Sequence, residues 1–404
     1  MFNGILVIIL TGFISFSMIG SLKKRYPTIN DRLLRQLFFY HLALALVYYL
    51  YALFNPSDSH YYFTKVTTNY RGEDWASYYG TSTIFIEFIG YPFIKFFAFT
   101  YEGIMALFAF FGFVGFIYFY IFFKENLRFS HSIFGFDMLT LIFFLPNLHF
   151  WSSSFGKGSL IFMAIGLFYY GISNVRTRWI AIFISGVIIY HVRPHIMLVM
   201  LISSAIGFVF STKGISISLR VAFLIGVSVA FYFIYRDVFA MVGINEEEFA
   251  SQGLDLTHRA SELTKATSGI DIASYNLPFQ VFTFLYRPLF FDAPGVLGLI
   301  VSFENVFYLF ITLKLLSLRG VGYLIRSNFR VKTAFVSFLT VTIALAQIAG
   351  NLGLAMRQKS QVMILFLFVI ISFLDNEKLI KYRHAMWQQA RRQRLSKLQK
   401  EETV

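Results

Sequence analysis

Four cations stand out because each sits in an apolar or aromatic setting beside a helix breaker or a polar cluster. They are Arg287 in F-L-Y-R-P-L-F-F-D, Lys157 in N-L-H-F-W-S-S-S-F-G-K, Arg193 in H-V-R-P-H and Arg357 in N-L-G-L-A-M-R-Q-K, a motif that also holds Lys359. A charge at a membrane boundary is costly unless something pairs with it, so each is a candidate for function. Arg193 and Arg287 precede prolines, which lock the backbone and interrupt a helix. Arginine offers a planar fork matched to phosphate oxygens, and lysine supplies a point charge. Brought into one layer, Arg287, Arg357 and Arg193, with Lys157 and Lys359 beside them, describe a polyphosphate site. Taken singly, each is better explained by a long side chain reaching for lipid headgroups.

The carboxylates are fewer. Asp58, in N-P-S-D-S-H-Y-Y-F, is placed to take a proton from an acceptor hydroxyl. It serves equally well as an ion partner for one of the arginines, or as a solvated loop residue. Asp74 and Asp292 are weaker versions of the same idea. Glu304 falls inside an apolar helix, where pairing within a bundle is favoured over exposure to lipid. His149 and His195 share motifs with Lys157 and Arg193 and complete the substrate-binding candidates. No spacing of His, Asp or Glu forms a metal site, and neither a metal nor another cofactor is expected. Gly156, Lys157 and Ser159 lack the frame of a nucleotide phosphate loop. Tyr61, Tyr62, Trp75, Tyr78, Tyr79 and Trp151 are belt aromatics or platforms for sugar rings.

The elements that must position these residues are helices in a membrane. Of the 404 residues, 57% are hydrophobic and 20% aromatic, which a soluble domain does not solvate. The absence of cysteine excludes disulfides and thiolate chemistry. The net charge of +14 collects in short loops beside apolar spans, a pattern of membrane orientation and lipid attraction and not of nucleic-acid binding. The expected fold is an all-α, polytopic helix bundle over residues 1–374, with a basic cytoplasmic tail at 375–404. About eleven spans are expected, over 2–19, 37–54, 105–123, 133–148, 160–173, 179–192, 196–211, 221–235, 296–316, 335–348 and 362–374. The segment 84–99, broken by Gly90, Pro92 and Lys95, reads as an interfacial helix. Two larger outer loops fall at about 55–83 and 236–276. With the N-terminus outside, 24 of the 35 Lys and Arg lie on the inner side and 11 on the outer. No internal repeat is evident, which speaks against an inverted-repeat transporter.

At Y-R-P-L-F-F-D with Glu304 beyond it, at L-H-F-W-S-S-S-F-G-K, at R-P-H and at N-L-G-L-A-M-R-Q-K, the sequence resembles bacterial polysaccharide polymerases of the Wzy type. These build O-antigen, capsule or exopolysaccharide from repeat units. The resemblance implies an inner-membrane glycosyltransferase that joins oligosaccharides carried on undecaprenyl pyrophosphate at the periplasmic face, alongside export and chain-length proteins. It also implies reliance on outer arginines, matching Arg193, Arg287 and Arg357. The middle outer loop of some members is short here, around Arg193. Three rivals stay open. One is a single-sugar transferase using a lipid-phosphate-sugar donor with Asp58 as base. The others are a lipid-linked glycan transporter and a non-catalytic envelope assembly protein.

Overall fold

The computed structural model describes residues 2–211, 216–242 and 272–402, so most of the expected loop 236–276 lies outside the described residues. Long apolar runs fold as helices because only a helix satisfies its own backbone inside a bilayer. Helix α1 (Phe2–Arg25) ends in Lys23, Lys24 and Arg25, where the helix dipole favours cations. Asn30 caps α2 (Asp31–Phe54) by accepting from the Leu33 amide at 3.1 Å. A short helix α3 (Asp58–Thr67) and a second, α4 (Thr83–Tyr91), which runs on into a π-turn over Pro92–Phe96, cover one end of the bundle. The chain then enters α5 (Tyr101–Asn126).

One span was expected over 133–148, and the structure divides this stretch. A two-stranded hairpin, Ser132–Ile133 paired with Phe136–Asp137, turns at Phe134 and Gly135, both at positive φ. Two short helices follow, α6 (Met138–Phe143) and α7 (Pro146–Trp151). The break between them falls at Leu145, which is extended because Pro146 bars the residue before it from the helical region.

Next come α8 (Lys157–Ser173), α9 (Val175–Val192), α10 (Pro194–Val209) and α11 (Ile217–Val242). After the undescribed stretch, α12 (Leu277–Tyr286) is a ten-residue helix that hydropathy did not single out. The chain closes with α13 (Gly295–Leu315), α14 (Leu318–Arg326), α15 (Phe329–Ala346) and α16 (Leu352–Glu402). Helix α16 passes residue 374 without interruption, and every residue from Lys381 to Leu395 is exposed.

Among the described residues, six helices are long and apolar enough to cross a membrane: α1, α2, α5, α9, α13 and α15. The chain is therefore a multi-pass, all-α membrane bundle. Its centre is the run Gln361–Phe373 of α16, buried on every side, beside α5, most of whose residues are buried too. Helices α1 and α9 instead turn Ile9, Phe13, Trp179 and Phe183 outward. Close approach of α5 and α8 depends on glycine. A Cβ on Gly115 would sit 2.9 Å from the Met163 Cα, and one on Gly166 would sit 2.8 Å from the Gly115 carbonyl oxygen.

Candidate functional site

The site begins with a cap. Ser57 starts α3, and its hydroxyl lies 3.3 Å from the Tyr48 hydroxyl and 2.7 Å from that of Ser59. Ser59 in turn lies 2.7 Å from the Tyr101 hydroxyl. This chain of hydroxyls ties the first turn of α3 to α2 and α5, and so fixes Asp58. The Asp58 carboxylate accepts from Arg357 Nη1 at 2.6 Å. Arg357 lies in the second turn of α16, its guanidinium 6.0 Å from the Trp151 ring centre. The preceding residue is tied to α7, where Asn147 Nδ2 donates to the Met356 carbonyl at 3.1 Å.

Arg193 stands at the junction of α9 and α10, with non-helical φ −151° and ψ 82°, as expected before Pro194. Its backbone carbonyl accepts from the Ile196 and Met197 amides, so the junction is rigid. The side chain is only 7% exposed, and its Nε has no hydrogen-bond partner among the described residues. Lys157 opens α8, and its Nζ donates to Ser82 Oγ at 2.7 Å. The Ser82 amide donates to the His191 carbonyl at 2.6 Å, which docks this turn beside Arg193.

These residues form one electrostatic unit. Lys157 feels the charges of Arg193, Arg357 and Asp58, and Arg193 feels Arg357, Tyr62 and Asp58. Burial, reinforced by neighbouring Arg357, pulls the Arg193 guanidinium down to about 10, so it stays charged at neutral pH. Burial, with the Asp58 carboxylate nearby, pushes the Tyr62 phenol up to about 12. Among the described residues, three cations thus share a single carboxylate. An unpaired buried donor costs about 1–3 kcal/mol, and an anion entering between these cations removes that penalty.

The remaining candidates lie in a second polar layer. Arg287 ends α12 and pairs with Asp292, whose other oxygen accepts from the Leu289 amide at 2.5 Å. Lys359 is fully buried, and its Nζ donates to Asn305 Oδ1 at 2.6 Å, to the Arg287 carbonyl at 2.9 Å and to the Leu285 carbonyl at 3.4 Å. Asn305 Nδ2 donates to the Pro288 carbonyl at 2.7 Å. With its three donors spent on protein acceptors, Lys359 holds the turn that carries Arg287. Glu304 is paired inside the bundle, accepting from the Asn147 amide at 2.6 Å and the Tyr308 hydroxyl at 3.1 Å.

The structure brings Arg193, Arg357, Lys157 and Asp58 together, and places Arg287 one layer away, joined through Lys359 on the same helix as Arg357. His149 belongs to the packing of the bundle: it is fully buried, stacked on Phe116 at 3.9 Å, and its Nε2 meets the Phe143 carbonyl at 2.7 Å. His195 is half-buried in the first turn of α10. Ser82, Asn147 and Asn305 were missed, because an isolated small polar residue has no periodic or compositional signal. Among the described residues no cluster of three or more His, Asp or Glu is placed to hold a metal. Comparison with protein families, with characterised proteins and with solved structures returns no match to this chain.

Proposed function

We propose that the chain is a polysaccharide polymerase of the bacterial inner membrane, joining repeat units carried on undecaprenyl pyrophosphate at the periplasmic face. The observation that supports this most directly is the group of Arg193, Arg357 and Lys157 around one carboxylate, with the buried Arg193 Nε left without a partner among the described residues. In this reading the Asp58 end of the bundle faces the periplasm, about eleven segments cross the membrane, and the basic tail is cytoplasmic. The pyrophosphate of one lipid-linked glycan enters between the three cations and displaces Asp58 from Arg357. A hydroxyl of the second lipid-linked glycan attacks the anomeric carbon and forms the new C–O bond. The bond from that carbon to the pyrophosphate oxygen breaks, and its electron pair leaves with the undecaprenyl pyrophosphate. The hydroxyl proton passes to the freed Asp58 carboxylate. The cations act as an oxyanion hole does, with charge aimed at the leaving group before it forms. Arg287 joins only if it exchanges Asp292 for a phosphate oxygen.

The Asp58–Arg357 contact also favours one rival, a single-sugar transferase in which Asp58 is the base for a lipid-phosphate-sugar donor. The two differ in product, a ladder of repeats against one added sugar. In a strain lacking the chromosomal copy, Arg193→Ala should leave single repeat units on the surface glycan, since losing one such donor costs roughly a hundredfold or more in rate. A ladder of normal length, with the variant present in the membrane at wild-type level, would defeat the proposal.

A further inference from the structure

A second site lies at the opposite end of the bundle, roughly 27 Å from Arg357 along α16 at 1.5 Å per residue. There a cavity of about 870 Å³ opens between α14, α16 and the end of α5. Arg319 and Arg326 on α14, Lys381 and Arg383 on α16, and Arg128 line it. Two acids line it as well, and both are engaged. Asp375 Oδ1 accepts the Arg128 and Phe129 amides at 3.0 and 2.8 Å, and Glu377 lies 3.8 Å from Arg319. Among the described residues the lining thus holds five cations against two acids, a positive excess.

Helix α14 shows what balances it. Its positions 319, 322, 323 and 326 share one face and line the cavity. Val321 and Ile325, with Leu318 at the cavity's edge, form the adjoining apolar face and are 54%, 65% and 93% exposed. Leu316 and Leu313, just before it, are exposed too. Ser317 caps the helix by accepting from the Gly320 amide at 3.1 Å, and a Cβ on Gly320 would meet the Leu315 carbonyl at 2.0 Å. The tight turn out of α13 is thus built in. A helix with cations on one side and bare aliphatics on the other lies along a membrane interface.

We infer that this cavity binds the phosphate headgroup of an anionic phospholipid, with the acyl chains running beside Leu318, Val321 and Ile325. Basic pockets between membrane helices recognise such headgroups by charge, and the apolar face supplies the selectivity for a lipid over a soluble phosphate. The inference stands independently of the glycan chemistry at the Asp58 end.

The test is thermal unfolding of the full-length protein in neutral micelles doped with phosphatidylglycerol, with phosphatidylcholine, or with soluble glycerol phosphate. Phosphatidylglycerol alone should raise the unfolding temperature. Arg319→Gln, Arg326→Gln and Lys381→Gln combined should raise the lipid concentration for half effect at least tenfold. Leu318→Gln with Ile325→Gln, which keeps every cation, should lose the lipid response as well. Equal protection by phosphatidylcholine, or an unaltered response in either variant, overturns the inference. Protection by glycerol phosphate matching that of the lipid also overturns it, and would identify a site for free phosphate esters.

Discussion

Asp58 is the residue whose substitution separates binding from turnover. It is the single carboxylate that Arg193, Arg357 and Lys157 share among the described residues, so in the resting protein it competes with any anionic ligand. Asp58→Asn should tighten binding of undecaprenyl pyrophosphate and at the same time lower the rate of polymer formation. Weaker binding of the pyrophosphate would mean that Asp58 organises the cations instead of competing for them. Lys359 makes a different prediction. Replacing it by Met leaves the buried Asn305 Oδ1 and the part-buried Arg287 carbonyl without their donor, at about 1–3 kcal/mol for a fully buried unsatisfied group. The detergent-solubilised variant should unfold at a temperature several degrees below wild type. An unchanged unfolding temperature would show that the Arg287 turn holds without the clamp. The cations of the site were legible in the sequence, since a charge beside proline or glycine within apolar sequence is conspicuous. Their individual partners were not, because Ser82, Asn147 and Asn305 look like any other polar residue.

At the scale of elements, the site depends on helix ends meeting. Arg193 is fixed by the α9–α10 break, Lys157 by the start of α8, Arg357 by the start of α16 and Asp58 by the start of α3. Gly112 on α5 holds one of these junctions in place. A Cβ there would lie 1.8 Å from the carbonyl oxygen of Ser152, in the segment that leads from α7 to Lys157. Gly112→Ala should push that segment away, at a cost of about 1–3 kcal/mol for overpacking. Membrane yield should fall and the surface glycan should shorten, whereas Gly20→Ala, with no atom near its Cβ, should behave as wild type. Glycan length and yield equal to wild type for Gly112→Ala would mean that the α7–α8 connection yields freely. Most helices followed from hydropathy and proline. The split of 133–148 and helices α3, α12 and α14 did not, because short segments carry too few turns for a clear period.

For the whole molecule the prediction concerns which end faces which compartment, and the absence of cysteine makes it simple to test. Tyr70, just past the end of α3, is 66% exposed, and Tyr382 is 55% exposed on the far part of α16. If the polymerase proposal holds, a membrane-impermeant maleimide should label Tyr70→Cys once the outer membrane is permeabilised. Tyr382→Cys should react only after the inner membrane is opened. The reverse pattern would put the cation group in the cytoplasm and remove the polymerase proposal with it. The same measurement places the α14 cavity, which shares the far end with Tyr382.

Membrane residence, helical class and the apolar segments follow from the sequence by itself, because the transfer of a side chain into lipid is set by its own chemistry and sums along a run. Which charges meet is a different matter. Asp58 and Arg357 are 299 positions apart, and their contact exists only because α2, α3, α5, α7 and α16 pack so that two helix starts face each other. The same packing set Arg287 one layer away with Asp292 and turned His149 into the bundle. Neither outcome is written in local pattern, since each depends on the angle and depth at which whole helices cross.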